Sequence, residues 1–273
     1  MLRSLMFVPA KEKMLQKIPN FDADAIIIDI EDSIEQYDKK DALSRVEQYL
    51  CEHNNSQRII VRLNSNNYIE EATILSKIKN IGFMLPKFEN VNSFIVCENI
   101  WHNHFTIALI ETPLGIVNIK SIASCNWIDA VAFGAEDYTC IANMENCTET
   151  LYFHKNYINT FCKAYNKLSF DTPSFSLNDF EQFKNEVDSS VSLGFDGKLL
   201  IHPKHIEYIN NAFIKKDVST LERIVKQYEE SGKAVLVIEG KVYEKMHINR
   251  LKKIIQEHNN YDSNRKKSNS ETY

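Results

Sequence analysis

Hydrophobic residues are concentrated in eight short runs, and most of the segments between the runs repeat apolar residues every three or four positions. The runs are Leu5–Val8, Ala25–Asp29, Ile59–Arg62, Phe83–Leu85, Ile107–Ile110, Ala130–Phe133, Leu168–Phe170 and Leu199–Ile201. Near-continuous apolar runs are typical of parallel strands buried on both faces, and the longer repeat is typical of amphipathic helices. Strands alternating with helices predict a parallel sheet with right-handed crossovers. Eight such units favour a closed (β/α)8 TIM barrel, an α/β fold, and leave an open sheet as the alternative.

The helical periodicity predicts individual helices between these strands and a change of organisation after the eighth. The predicted helices are Lys11–Phe21, Asp41–Glu52, Asn67–Lys79, Asn90–Trp101, Glu149–Lys167 and Asn178–Leu193. We therefore predict a barrel domain over residues 1–210.

Residues 211–258 are predicted to form a C-terminal extension of helices and a small β-hairpin that turns at Gly240. A barrel closes without such a segment, so we expect the extension to cover the rim or to reach a neighbouring subunit. Residues 259–273 are rich in Asn, Ser and Lys, which predicts a disordered tail.

Composition excludes several classes of protein. The 273 residues carry a formal net charge of −5, which disfavours a nucleic-acid-binding protein. There is no run of 18 apolar residues, so no membrane partner is expected. The seven glycines form neither a dinucleotide-binding motif nor a P-loop, which disfavours a Rossmann dehydrogenase or a P-loop NTPase.

The cysteines and the first residues bear on the compartment. None of the six cysteines forms a Cys-x-x-Cys pair, so a structural zinc site is not expected. The apolar part of Met1–Pro9 is too short for a signal peptide and fits a first strand better. Reduced thiols and a cytoplasmic location are therefore predicted.

Polar or charged residues follow most of the apolar runs. In chain order these include Glu31, Asp32, Asn64, Lys87, Glu111, Glu136, Asp137, Asp171 and His202. Barrel enzymes carry their chemistry at the C-terminal ends of the strands. The pattern therefore predicts an active site at this rim.

Two of these acids predict a metal site. Glu111 follows the fifth run and Asp137 follows the sixth, so adjacent barrel strands would place them side by side. Two carboxylates repel each other unless a cation lies between them, and Mg²⁺ accepts one or two protein carboxylates together with substrate oxygens. The alternative is that these acids cap helices or form surface ion pairs.

Three basic residues near the rim are further candidates. Arg62 ends the third run, and its guanidinium would suit a substrate carboxylate or a buried ion pair with Glu31 or Asp32. The pattern leaves both interpretations open. For Lys87 we expect a salt bridge to a rim acid rather than a Schiff base, and for His202 a structural hydrogen bond rather than catalysis.

Together these segments resemble the citrate lyase β-subunit family, the CitE-like branch of the HpcH/HpaI aldolases. The matching segments, spread over about nine-tenths of the chain, are Arg3–Pro9, Ile28–Ser33, Val61–Asn64, Met84–Lys87, Leu109–Gly115, Phe133–Asp137, Leu193–Lys198 and Ile201–Pro203. The resemblance implies a homotrimer of TIM barrels, with Mg²⁺ held by Glu111 and Asp137. It also implies that Arg62 holds a substrate carboxylate with Glu111 nearby. The expected reaction cleaves or forms the C–C bond of a 3-hydroxyacyl thioester of CoA or acyl carrier protein, such as a citramalyl, malyl or citryl derivative, with a 2-oxo acid as the other product.

Two positions depart from the family pattern. Similar CoA lyases place an Asp of the C-terminal extension in a neighbouring subunit's site, and the residue at the matching position here is Glu244, which is thus a candidate catalytic residue. Where the family often has an Arg, this chain has His154. These departures motivate one alternative, an accessory barrel that binds metal and oxo acid without turnover. A further alternative is an aldolase on free 2-oxo acids that needs no thioester.

Overall fold

The computed structural model describes residues 1–53, 57–213 and 218–256, in two compact units. The first unit, Leu2–Phe213, contains a closed barrel of eight parallel strands that pair in chain order, the first closing against the last. The strands are β1 (Ser4–Pro9), β2 (Ala25–Asp29), β3 (Arg58–Arg62), β4 (Ile81–Leu85), β5 (Phe105–Ile110), β6 (Ala130–Phe133), β7 (Leu168–Asp171) and β8 (Gly197–Leu200). The predicted TIM barrel is confirmed, and each predicted run corresponds to one strand.

Helices connect the strands and pack on the outside of the barrel. They are α1 (Glu12–Leu15), α2 (Lys39–Glu52), α3 (Tyr68–Leu75), α4 (Glu98–Asn103), α5 (Pro113–Val117), α6 (Ile119–Ser124), α7 (Ala135–Ala142), α8 (Thr148–Ala164), α9 (Phe180–Leu193) and α10 (Ile206–Ala212). Short 3₁₀ turns lie at Ile18–Asn20, Gln36–Asp38, Val91–Cys97 and Pro203–His205. None of the helices in the described ranges combines the length and apolar character needed to cross a lipid bilayer.

Several helix predictions were wrong in extent. The segment predicted as a helix over Lys11–Phe21 forms the four-residue α1 and a separate 3₁₀ turn that contains Pro19, whose missing N–H cannot continue an α-helix. Asn67–Lys79 yields a helix that ends at Leu75. Asn90–Trp101 begins as a 3₁₀ turn and becomes α-helical only at Glu98.

Residues on alternate positions of the strands build two apolar layers. The inward-facing layer fills the barrel with Leu5, Ala25, Ile27, Ile60, Met84, Ile107, Leu109, Ala130, Ala132, Phe170 and Leu199, all of them buried. The outward-facing residues, such as Val61 in β3 and Val131 in β6, pack with the helices in a second, larger cluster. The interior of the barrel is therefore a packed core, and space for a ligand is left only beyond it.

A charged cluster is buried outside the barrel wall, near the end of β7. The Oδ2 atom of Asp171 accepts hydrogen bonds from Lys155 Nζ at 3.1 Å and Lys198 Nζ at 3.0 Å, and also from the hydroxyl of Ser190. Burial alone would raise the pKa of Asp171, but the two ammonium groups hold it well below its ordinary value.

We expect Asp171→Asn to lower the free energy of unfolding by about 3–5 kcal/mol near pH 7, because it leaves two buried lysines without an anion. The folded-state pKa of Asp171 lies below the unfolded value of 3.8. The carboxylate therefore stabilises the protein fully above about pH 4 and progressively less as the pH falls below it. Denaturant unfolding between pH 7 and pH 2 should show a smaller acid-induced loss in the variant. Glu181→Gln, at the exposed pair with Lys184, is the control and should change nothing measurable.

The second unit contains the described residues of the C-terminal extension. It comprises α11 (Val218–Ser231), an antiparallel hairpin of β9 (Val235–Ile238) and β10 (Lys241–Glu244), and a helix α12 over residues 245–256. Gly240 lies at the hairpin turn with φ of 78°, a conformation that favours glycine. The helices and hairpin of the predicted extension are confirmed. Its position on a rim or a neighbouring subunit stays a prediction, and the predicted tail over residues 259–273 lies outside the described residues.

Candidate functional site

A cavity of about 400 Å³ opens above the inward-facing core, at the C-terminal ends of the strands. It lies where the inward positions change from apolar to polar. The change runs from Ile27 to Asp29 at β2, from Ile60 to Arg62 at β3, and from Leu109 to Glu111 beyond β5. Five acidic residues and one Arg line the cavity in the described part of the chain: Asp29, Asp32, Arg62, Glu111, Glu136 and Asp137. The cavity thus holds an excess of negative charge, which favours a cation.

Arg62 is held on one side by acids of the β2 end. Its Nε and Nη2 donate to the two carboxylate oxygens of Asp29 at 2.8 and 2.7 Å, and its Nη1 donates to Asp32 Oδ2 at 2.9 Å. The guanidinium lies over the Phe7 ring, with Cζ 5.2 Å from the ring centroid. A guanidinium has five N–H groups, and these hydrogen bonds use three of them.

Of the two predicted interpretations of Arg62, the buried ion pair is present in the structure, and the contact with a substrate carboxylate stays a prediction. The ion pair with Asp32 is present, and a Glu31 oxygen lies 3.7 Å from Arg62 Nη1. The strongest partner is Asp29, which the sequence analysis missed. The register of β2 and β3 pairs Asp29 with Arg62, and period-two alternation directs both side chains inward.

Burial and the charge of Arg62 shift the pKa values of the neighbouring acids Asp29 and Glu31. Burial alone would raise the pKa of Asp29, but its hydrogen bonds and ion pair with Arg62 hold the pKa below its ordinary value. Burial raises the pKa of Glu31. One Glu31 oxygen accepts from the Ser65 backbone N–H at 3.2 Å, and the other, Oε2, has no hydrogen-bond partner among the described residues. Glu31 is thus an incompletely satisfied buried acid beside the cavity.

Glu111 follows β5 and is 2% exposed. Its Oε1 accepts a 2.7 Å hydrogen bond from the backbone N–H of Lys87, whose φ of 46° is in the left-handed region. Its Oε2 lies against Gly134, where a Cβ would come within 2.9 Å of it. Burial is the main reason that the pKa of Glu111 is raised to about 8; the negative charges of Glu31 and Asp137 act in the same direction, and the Lys87 N–H and Arg62 act against it. Glu111 is therefore a tightly packed acid without a direct cationic partner among the described residues.

Asp137 lies in the first turn of α7, which begins directly beyond β6. It lines the same cavity as Glu111, and β5 and β6 are hydrogen-bonded neighbours. The expectation that the two acids lie on adjacent strand ends is confirmed by this geometry. The adjacent Glu136 is engaged elsewhere, because its Oε2 accepts from Asn146 Nδ2 at 2.8 Å. No group of three His, Cys, Asp or Glu side chains that could hold a metal occurs in the described ranges.

Other strand-end residues serve the fold. Asn64 donates to Ile30 O and Glu71 Oε1, and Asp171 belongs to the cluster outside the barrel. His202 accepts a hydrogen bond from the Lys204 backbone N–H, the structural role that was predicted. The predicted salt bridge of Lys87 to a rim acid was wrong: its side chain is exposed and has no ion pair within the described residues, while its backbone bonds Glu111.

The two positions that depart from the family pattern lie in different parts of the chain. His154 is on α8, where its ring packs 4.9 Å from that of Tyr138, and it does not line the cavity. Glu244 is the last residue of β10 in the second unit, and it is exposed. Its role in catalysis stays a prediction.

The chain is similar to known proteins in both sequence and structure. The family model described as HpcH/HpaI aldolase/citrate lyase matches residues 3–203. The citrate lyase subunit beta of Leuconostoc mesenteroides subsp. cremoris is 27% identical, over 93% of this chain and 92% of the relative. The mitochondrial citramalyl-CoA lyase of Rattus norvegicus is 23% identical, over 87% of this chain and 80% of the relative.

A solved structure supports the barrel assignment. The CitE protein of Mycobacterium tuberculosis, in complex with magnesium, acetoacetate and coenzyme A, superimposes with a TM-score of 0.79. The alignment covers 93% of this chain and 97% of that chain at 20% identity. At this identity the likeness establishes the fold.

Proposed function

Because the chain belongs to the HpcH/HpaI aldolase/citrate lyase family, we propose that it is a Mg²⁺-dependent carbon–carbon lyase acting on a 3-hydroxyacyl thioester. The products would be a 2-oxo acid and an acyl thioester of CoA or acyl carrier protein. The observation that carries the proposal is the convergence of Glu111, Asp137 and Arg62 on one cavity at the C-terminal ends of the strands. Relatives with lyase names, among them a citramalyl-CoA lyase and a citrate lyase subunit beta, agree with it.

The residues of the cavity fit a hard dication. Glu111 and Asp137 offer carboxylate oxygens, the donors that Mg²⁺ prefers. Gly134 leaves room for the Glu111 side chain, because a Cβ at position 134 would lie 2.8 Å from the Glu111 Cβ and 2.9 Å from its Oε2. Since two carboxylates do not complete an octahedral shell, the remaining positions would be filled by water and by substrate oxygens. We therefore assign Glu111 and Asp137 as the metal-holding residues.

Different groups in the cavity would bind the substrate and promote its cleavage. Arg62, fixed by Asp29, would hold the carboxylate of the oxo-acid half. When bound, Mg²⁺ supplies an electrophilic centre that stabilises negative charge on the substrate oxygen next to the breaking bond. Transfer of the 3-hydroxyl proton to a base and cleavage of the C–C bond would give the 2-oxo acid and the enolate of the acyl thioester, and protonation of the enolate carbon would give the acyl thioester. The apolar side chains of Phe7 and Leu199, which line the cavity, would hold water away from that bond.

We further propose that the protein is a homotrimer in which Glu244 of one copy serves the cavity of a neighbouring copy. Glu244 would transfer a proton at the acyl carbon that becomes the enolate. Its extra methylene relative to Asp leaves the carboxylate function in place. The exposure of this side chain is compatible with a partner there.

Glu244→Gln is expected to lower kcat about 10²-fold, because it removes a general acid–base group. Mixing subunits of Glu244→Gln with inactive Glu111→Gln subunits should restore part of the activity, since a mixed trimer contains cavities with an intact Glu111 beside an intact Glu244. Activity is measured after unfolding and refolding the mixture. Mixtures no more active than their components would rule out service between copies, and unchanged kcat in the single variant would remove Glu244 from catalysis.

The proposed reaction is tested by assaying citramalyl-, malyl- and citryl-CoA for release of a 2-oxo acid. Cleavage of at least one thioester should require Mg²⁺ and stop with EDTA. Cleavage that EDTA leaves unchanged would refute the metal-dependent mechanism. Turnover of a free hydroxy acid, unaffected by CoA or acyl carrier protein, would favour the aldolase alternative.

A second candidate function rests on Glu244, which replaces the Asp of similar CoA lyases. An accessory barrel would bind Mg²⁺ and oxaloacetate or pyruvate without turning over any thioester. Calorimetry beside the activity assay separates the two, because binding without turnover is expected only of the accessory barrel.

We propose a cytoplasmic location for the protein. All six cysteines are free thiols in the structure, and reduced cysteines are typical of reducing compartments.

A further inference from the structure

Helix α7 carries Asp137 but lacks a cap of its own. It begins at Ala135, and the residue at its N-cap is Gly134, which offers no side-chain hydrogen bond. Helices normally satisfy their first backbone N–H groups with a Ser, Thr, Asp or Asn at this position. The first turn of α7, which carries the proposed metal ligand Asp137, therefore lacks the hydrogen bond that an N-cap side chain normally provides.

The reason for the glycine lies in the neighbouring acid. A Cβ on residue 134 would lie 2.8 Å from Glu111 Cβ and 2.9 Å from Glu111 Oε2. Both distances are too short for real carbon contacts, so a capping residue at 134 would displace the Glu111 carboxylate. The space that Glu111 needs therefore excludes an ordinary N-cap.

The missing cap is supplied by the next strand. Thr172 follows β7 directly, and its Oγ1 accepts a 3.1 Å hydrogen bond from the Ala135 backbone N–H. Ala135 is fully buried and Thr172 is 7% exposed, so water does not readily replace this bond. Thr172 also lines the cavity together with Glu111 and Asp137.

We propose that Thr172 is a positioning residue for the metal site: its hydroxyl fixes the start of α7 and thereby the Asp137 carboxylate opposite Glu111. The inference rests on the proposed Mg²⁺ site. Functional groups must be held to within about 0.5 Å of their productive geometry, and Asp137 lies two residues from the anchored N–H. Asp171, the residue before Thr172, accepts hydrogen bonds from two buried lysines. The end of β7, from which the Thr172 hydroxyl reaches Ala135, is therefore itself held in place.

The inference is tested in the full chain by titrating Mg²⁺ into three variants. Thr172→Val keeps the shape of the side chain and removes the acceptor, so it should weaken Mg²⁺ binding about tenfold, the effect typical of residues that orient metal ligands. Thr172→Ser keeps the acceptor and should bind within about twofold of wild type. Thr106→Val is the control, because Thr106 is a buried Thr near the start of β5, far from the strand end that carries Glu111, and its hydroxyl donates to the backbone carbonyls of Trp101 and His104. It should leave the Mg²⁺ affinity unchanged.

Melting temperatures measured in EDTA show whether each variant is folded before metal is added. If Thr172→Val does not fold, Thr172→Ala gives the same comparison with Thr172→Ser. Equal Mg²⁺ affinity of the Val (or Ala) variant and wild type would overturn the positioning role. So would an equal weakening in Thr172→Ser, or in Thr106→Val. Failure of wild type itself to bind Mg²⁺ at millimolar concentrations would instead refute the proposed metal site.

Discussion

Replacing Glu111 by Gln is expected to abolish Mg²⁺ binding and to lower the rate of thioester cleavage at least a thousandfold. The substitution keeps the size of the side chain and removes one of two proposed metal-holding carboxylates. A metal that polarises the substrate contributes several kcal/mol to transition-state stabilisation, and each 1.4 kcal/mol corresponds to a factor of ten. Because burial disfavours the charged form of Glu111, the variant should be at least as stable as wild type in thermal unfolding without metal. The measurements are kcat/KM and Mg²⁺ titration.

Glu136→Gln is the matched control for this experiment. It makes the same chemical change in the same cavity, at a residue whose carboxylate is engaged by Asn146. We expect its kcat/KM to stay within about threefold of wild type, because a change this small does not indicate the loss of a contact with the transition state. Equal losses in both variants would point to the summed charge of the cavity. Full activity of Glu111→Gln would remove Glu111 from the mechanism.

Replacing Arg62 by Ala is expected to lower kcat/KM about 10³-fold and to destabilise the fold as well. The guanidinium would orient the substrate carboxylate, and it also neutralises Asp29, which is 3% exposed. Removing one partner of a buried ion pair costs about 3–5 kcal/mol, since the remaining charge is left in a poorly solvated place. Arg62→Lys keeps the charge but cannot reproduce the two-pronged contact with Asp29. We expect Arg62→Lys to recover part of the stability lost in Arg62→Ala but to have a higher KM than wild type.

Arg58→Ala tests whether these effects belong to the site. Arg58 lies at the other end of β3, exposed, with its guanidinium over the Phe105 ring. It should change KM little. Stability that falls in Arg62→Ala without any change in kcat/KM would leave Arg62 a purely structural residue, held by Asp29, Glu31 and Asp32.

The barrel could be predicted because its signals are local and repeated. Each of the eight strands contains a short and mostly apolar run, and the polar residue that follows most of these runs falls near the rim by topology. This rule predicted that Glu111 and Asp137 lie at the rim, without knowledge of any contact, and both line the cavity there. The helices were harder where they are short. The helices α5 and α7, five and eight residues long, give too few turns for a periodic pattern to stand out, although Thr112 before Pro113 is a recognisable capping signal.

The details of the site depended on contacts between distant segments. Asp29 was missed as the partner of Arg62 because it was counted as the end of a buried run, although period-two alternation places it on the inward face. Lys87 was expected to form an ion pair because it is a cation near acids. Its positive φ instead directs the backbone N–H to Glu111 and leaves the side chain exposed.

Gly134 and Thr172 give no signal in one sequence. A glycine after a strand is ordinary, and so is a threonine after the next strand. Their roles arise only when the Glu111 carboxylate, the start of α7 and the end of β7 are placed together in space.

The most direct test of the metal site is a crystal structure of the full chain soaked with Mn²⁺ and a 2-oxo acid such as pyruvate or oxaloacetate. We expect one anomalous peak at about 2.0–2.3 Å from a carboxylate oxygen of both Glu111 and Asp137, with the oxo acid's carboxylate on Arg62. A peak at other residues, or an oxo acid bound away from Arg62 at full occupancy, would contradict this expectation.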